Sequence, residues 1–108
     1  MKRGDIVIGA QRGDFTGKPR PYVVVQRETT LPDSVTVTAC PVTSVLLGPG
    51  ALRISLAADA TTGLDDPSEI EVDRITTLRK SGIRQRVGSV SADGMVAVDR
   101  GLKLWLDL

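Results

Sequence analysis

The 108-residue sequence has no histidine and a single cysteine, Cys40. Without histidine there is no Ser–His–Asp nucleophile. There is also no ribonuclease mechanism that passes protons between two histidines. One cysteine excludes an intrachain disulfide, and a zinc site of the usual kind needs several Cys or His ligands. The reading is therefore of no metal and no cofactor. Aromatics are scarce, with one Phe, one Tyr and one Trp. The core must be built from Val, Leu, Ile and Ala, and a broad aromatic platform for stacking bases is not available. No apolar run approaches the roughly 18 residues of a membrane-spanning helix, and no signal-like apolar stretch follows Met1–Gly4. These absences predict a cytoplasmic protein without membrane contact. With no repeat, low-complexity tract or linker, residues 1–108 read as one domain.

The charges that are present are segregated, although the formal net charge is only +1. Residues 1–27 carry six bases against Asp5 and Asp14. Residues 59–73 carry six acids and no base, and residues 74–86 carry five bases and no acid. If the two basic stretches meet in space, they form a surface suited to phosphates.

Hydrophobic spacing predicts mostly strands. Asp5–Gly9 reads as a short buried strand. Ala10 to Pro21 loses all periodicity, and Gly13, Gly17, Pro19 and Pro21 mark a loop. Tyr22–Val25 is continuous and β-branched, as in a central strand buried on both faces. Val35–Ser44 alternates as a strand, with Pro41 requiring a bulge or an edge. Leu52, Ile54 and Leu56 alternate with polar residues. Residues 58–68 form an acidic loop, and Ile70 and Val72 then alternate with Glu69, Glu71 and Asp73. The period breaks at Ile75, so a bulge is expected near Asp73–Arg74. Residues 84–90 give a further strand with a parity slip between Val87 and Val90. Met95, Val98, Leu102 and Trp105 follow helical spacing and predict a core-facing stripe, with Ser91 as N-cap. The expected architecture is mainly β with a C-terminal helix, a small β-barrel.

Several of these stretches together resemble the PemK/MazF family of toxins. They are Arg3-Gly4-Asp5-Ile6 at the start, a glycine-bearing loop ending in Arg20-Pro21, Pro41-Val42-Thr43-Ser44 at a strand end, and Ile70–Ser81. The resemblance implies an SH3-like barrel of the PemK/MazF/CcdB type, usually a homodimer. It implies metal-independent, sequence-selective cleavage of single-stranded RNA by a type II toxin–antitoxin mRNA interferase, neutralised by a cognate antitoxin. It associates Arg20 and Thr43 with catalysis. Where some members carry a histidine before the Arg-Pro pair this sequence has Asp14. Where some carry an Arg and an Asp in the later strand it has Thr76 and Arg79.

RNA is cut without a metal when its own 2′-OH attacks the adjacent phosphate. The step needs a base near that hydroxyl, donors for the phosphate oxygens and an acid for the leaving oxygen. Arginine fits the second task, since its planar donors match phosphate oxygens and stay charged. Thr43 adds a hydroxyl donor, and Asp14 is the candidate base. Lys18, Arg79 and Lys80 are candidate phosphate contacts, Ser44 is a further candidate RNA contact, and Phe15 is the candidate for stacking on one base. Two other readings stay open: a CcdB-like poison of DNA gyrase, and an RNA-binding barrel without catalysis.

Overall fold

The computed structural model describes residues 1–10 and 18–108, so Asp14 and Phe15 lie outside the described residues. Seven strands and one helix follow in order: β1 (Asp5–Gly9), β2 (Arg20–Val24), β3 (Thr36–Thr43), β4 (Arg53–Leu56), β5 (Ser68–Glu71), β6 (Thr76–Arg79), β7 (Gln85–Ser89) and α1 (Ala92–Leu106). All pairings are antiparallel. The sheet runs β4-β5-β3-β2-β1-β7, with β6 also on β3. Its end strands β4 and β7 are not paired to each other, so the sheet curls as a half-barrel rather than closing.

Strand β3 is the spine. On one side it pairs β2 throughout residues 39–41. On the other, Thr36–Ala39 pair β6 while Val42 and Thr43 pair β5. Pro41 falls where the partner changes from β6 to β5, a place where its missing N–H breaks no ladder bond on that side. The period break expected near Asp73 is a single 3-10 turn, Val72–Arg74. It separates β5 from β6 along the same edge of β3. The parity slip in the last strand is a bulge. Ile6 pairs Gly88 but Val7 pairs Arg86, which leaves Val87 as the extra residue.

Period-two alternation sends neighbouring side chains of the central strands into two separate cores. Ile6, Val23, Val25, Cys40 and Val42 face Leu56, Ile70, Val72 and Val98. Val7, Tyr22, Val24, Val37 and Ala39 face Leu31 and Leu78. The Tyr22–Val25 run is continuous because it supplies both. Each fully buried Val or Ile contributes about 1.5–3 kcal/mol.

Helix α1 closes the first core. The Ser91 hydroxyl accepts from the Gly94 N–H at 3.1 Å, capping its start as expected. Met95, Val98 and Leu102 pack on the sheet. Trp105 departs from the expected stripe: it is 50% exposed, because the helix runs past the core after Leu102. Gly101 is needed for packing, since a Cβ there would lie 2.6 Å from the Ala51 carbonyl oxygen. No helix among the described residues is long and apolar enough to cross a membrane.

Candidate active site

Arg20 opens β2 and Thr43 closes β3. The two strands pair as Tyr22 with Pro41, Val23 with Cys40 and Val24 with Ala39. Arg20 and Thr43 each lie two residues beyond the end of this ladder, at the same end of the two strands. Both residues line one cleft of about 700 Å³, together with Pro21, Ser44 and Val45. Arg20 is exposed, and it has interactions within the chain.

The residues after Thr43 form a tight local turn. The Thr43 hydroxyl oxygen accepts the Val45 N–H at 3.1 Å. With a lone pair engaged in that way, the hydroxyl proton is left to donate elsewhere. The turn is then clamped from below by a charged cluster. Glu69, only 2% exposed, accepts from the N–H groups of Leu47 and Gly48 and from Arg53 Nη1, each at 3.0 Å. Arg53 Nη1 also donates to the Val45 carbonyl at 3.2 Å, and Arg53 Nη2 donates to Glu71 at 3.2 Å. Arg74 Nε pairs with the same Glu71 carboxylate. The Leu47 and Gly48 N–H groups and the Arg53 guanidinium hold the Glu69 carboxyl below its ordinary range, the Leu47 bond being the largest cause.

The opposite wall is the loop 57–67 between β4 and β5, which contributes Gly63, Leu64, Asp65 and Asp66 to the cleft. This loop is fastened to itself and to β7. Asp59 accepts from the N–H groups of Thr61 and Thr62, and the Thr62 hydroxyl donates to the Ala57 carbonyl at 2.6 Å. The Ser89 N–H donates to the Thr61 carbonyl at 2.9 Å. Contact between loop and strand is so close that only glycine fits on either side. A Cβ on Gly63 would lie 1.9 Å from the Val87 carbonyl oxygen, and one on Gly88 would lie 2.2 Å from that of Thr62. Gly63 also has φ +67, a left-handed conformation that favours glycine.

The predicted site residues therefore divide. Arg20, Thr43 and Ser44 share the cleft. Lys18 is exposed two residues before β2 and has interactions within the chain. Arg79 and Lys80 lie elsewhere: Arg79 borders a depression with Thr36 and Thr77, and Lys80 borders one with Pro32 and Ser34. The Lys80 ammonium donates to the Leu31 carbonyl at 2.6 Å. The two basic stretches thus do not both converge on the cleft, and Asp65 and Asp66 make its described lining mixed in charge. Those two carboxylates and the Glu69–Arg53 clamp were not singled out by the sequence. Glu69 and Glu71 alternate with Ile70 and Val72, and both are buried under Arg53. The signal for this lies in β4, where Arg53 pairs in register with Glu71.

No group of three or more His, Cys, Asp or Glu side chains among the described residues is arranged to hold a metal ion. Cys40 is no nucleophile. It sits in the core, and burial pushes its thiol up to about 12.

The sequence model of the "PemK-like, MazF-like toxin of type II toxin-antitoxin system" family matches residues 2–106. The chain belongs to this family. Among curated relatives of this MazF-like toxin, the probable endoribonuclease MazF of Mycolicibacterium smegmatis is 36% identical over 108 residues, spanning 100% of this chain and 98% of the relative. The endoribonuclease MazF6 of Mycobacterium tuberculosis is 35% identical over 106 residues, spanning 94% and 90%. Among solved structures, the Mycobacterium tuberculosis toxin MazF-mt6 superposes with TM-score 0.82 at 25% identity, over 96% of this chain and 97% of that one. A mycobacterial endoribonuclease solved with its cognate antitoxin has TM-score 0.80 at 19% identity, over 100% and 96%, and shares the fold with this MazF-like chain.

Proposed function

We propose that residues 1–108 form one toxin domain that acts as an endoribonuclease. It cleaves single-stranded RNA sequence-selectively and without a metal, as a cytoplasmic homodimer neutralised by a cognate antitoxin. The observation that carries this reading is that Arg20, at the start of β2, and Thr43, at the end of β3, line one open cleft. The family membership and the endoribonuclease names of the relatives support it.

In the reaction, the 2′-OH of the RNA loses its proton to a base and its oxygen bonds to the adjacent phosphorus. The bond from phosphorus to the 5′-oxygen breaks, and that oxygen takes up a proton. The products are a 2′,3′-cyclic phosphate and a free 5′-OH. Arg20 supplies charged donors to the non-bridging oxygens, which gain charge at the transition state. Thr43 donates its hydroxyl proton in a hydrogen bond to the same oxygens, with Ser44 next in sequence. Asp14 is our candidate for the base, and Asp65 and Asp66 are the described carboxylates on the cleft wall. Phe15 stacks on a base and Lys18 contacts a phosphate of the bound strand, whereas Arg79 and Lys80 border other depressions.

Purified protein incubated with single-stranded RNA in excess EDTA should give discrete fragments ending in 2′,3′-cyclic phosphate or 3′-phosphate. Intact RNA across substrates of varied sequence would refute the proposal. A supercoiling assay with DNA gyrase should show no inhibition.

A further inference from the structure

The Glu69–Arg53 pair does more than neutralise two buried charges. Glu69 stands opposite Thr43 in the β3–β5 ladder. Its carboxylate does not engage Thr43 itself. It reaches past it to the N–H groups of Leu47 and Gly48, while Arg53, held by the same carboxylate, takes the Val45 carbonyl. Val45 is thus fixed through both of its backbone groups. Its carbonyl is held by Arg53 and its N–H is spent on the Thr43 hydroxyl. The orientation of that hydroxyl is set by where the Val45 N–H lies, and the clamp sets where the Val45 N–H lies.

From this geometry we infer that Glu69 is a positioning residue for RNA cleavage, acting through Arg53 and the 44–48 turn to aim the Thr43 hydroxyl into the cleft. The inference rests on the reading of Thr43 as a donor to the scissile phosphate. Glu69 touches no substrate, as it is 2% exposed beneath the turn. Three otherwise exposed apolar residues explain why a clamp is required. Val45, Leu46 and Leu47 are 66%, 54% and 74% exposed, so neither core of this chain holds the segment in place. A loop without buried side chains has little to fix its conformation except its polar contacts. Water satisfies the same N–H groups when the carboxylate is removed, so the fold survives but the hydroxyl loses its fixed aim. Misplacement of a reacting group by about 1 Å can cost on the order of 100-fold in rate.

The test is a double-mutant cycle on single-turnover cleavage of a single-stranded RNA, using the full chain. Glu69→Ala should lower the cleavage rate about 10- to 100-fold while RNA binding changes less than about twofold, because the binding contacts are untouched. The Val45 amide should exchange its hydrogen faster than in the parent protein. In a Thr43→Val background, Glu69→Ala should cost nothing further, since two residues that act as one unit are not additive. Glu69→Gln keeps one acceptor oxygen and the side-chain shape. It should fall between the parent and Glu69→Ala, and it replaces Glu69→Ala in the cycle if the alanine variant does not fold. The inference is overturned if Glu69 variants cleave at the parent rate with only a lowered Tm. It is equally overturned if their full loss persists on top of Thr43→Val. If Thr43→Val itself cleaves at the parent rate, the underlying reading of Thr43 fails instead. The two failures are thus told apart by the single Thr43 variant.

Discussion

Gly88→Ala puts the seating of the acidic loop to a direct test. The added methyl group would lie 2.2 Å from the Thr62 carbonyl oxygen, 2.3 Å from its carbon and 2.5 Å from the Thr61 oxygen. All three are backbone atoms, so no flexible side chain can swing away, and real Cβ contacts do not come under 3.0 Å. Loop or strand must therefore retreat by nearly an ångström. Overpacking of this kind costs about 1–3 kcal/mol. The retreat also breaks the bond from the Ser89 N–H to the Thr61 carbonyl, worth about 1 kcal/mol. For a domain of this size a combined loss of that order lowers Tm by roughly 10 °C or more. The same movement carries Leu64, Asp65 and Asp66 away from Arg20, so RNA cleavage should fall along with Tm. Thermal unfolding followed by circular dichroism and a cleavage assay at a temperature where the variant is folded measure the two effects. Gly50→Ala is the control, because nothing lies within 4 Å of its added carbon. A Gly88→Ala protein with the parent Tm and the parent rate would show that the loop does not sit against β7.

Arg20→Ala should reduce the cleavage rate about 100- to 1,000-fold, the loss typical of one preorganised transition-state donor, with an unchanged circular dichroism spectrum. Because the folded state holds the Glu69 carboxyl below its ordinary 4.5, its contribution to stability is present above that pH. It fades as the pH falls through the folded value, so the Tm gap between the parent and Glu69→Gln should narrow on acidification. Cys40 has the opposite sense. Its thiol is raised from 9.0 to about 12, so its contribution is full below pH 9.0 and declines as pH rises towards 12. That decline should approach about 1.4 kcal/mol per pH unit in the parent, and denaturant melts of Cys40→Ala should lack it.

Much of the fold was legible because the two cores impose strict alternation. Asp5–Gly9 read correctly, and Tyr22–Val25 was legible as a buried run because it feeds both cores, although the strand itself spans Arg20–Val24 and so takes in two residues read as loop. The broken period at Ile75 and the slip after Val87 were visible as irregularities. Their forms, a 3-10 turn and a bulge against β1, depend on which strands lie alongside. Trp105 followed the helical stripe but overran the sheet that Met95, Val98 and Leu102 cover. At the site, Arg20 and Thr43 were legible only through family resemblance, since nothing local links residues so far apart. Their convergence is a property of strand pairing. The burial of Glu69 was not legible because its covering arginine comes from another strand. Arg79 and Lys80 were grouped with Arg20 by charge alone, and sequence charge carries no direction in space.

The way β2 is built makes activity a check on correct assembly. Tyr22–Val25 is apolar on both faces, so a chain that paired this strand one step out of phase would still cover its greasy side chains. Such a molecule would shift its guanidinium by about 3.4 Å and turn it to the reverse side of the ribbon, away from the threonine it should meet. It would lack the pairing of groups on which the proposed cleavage depends.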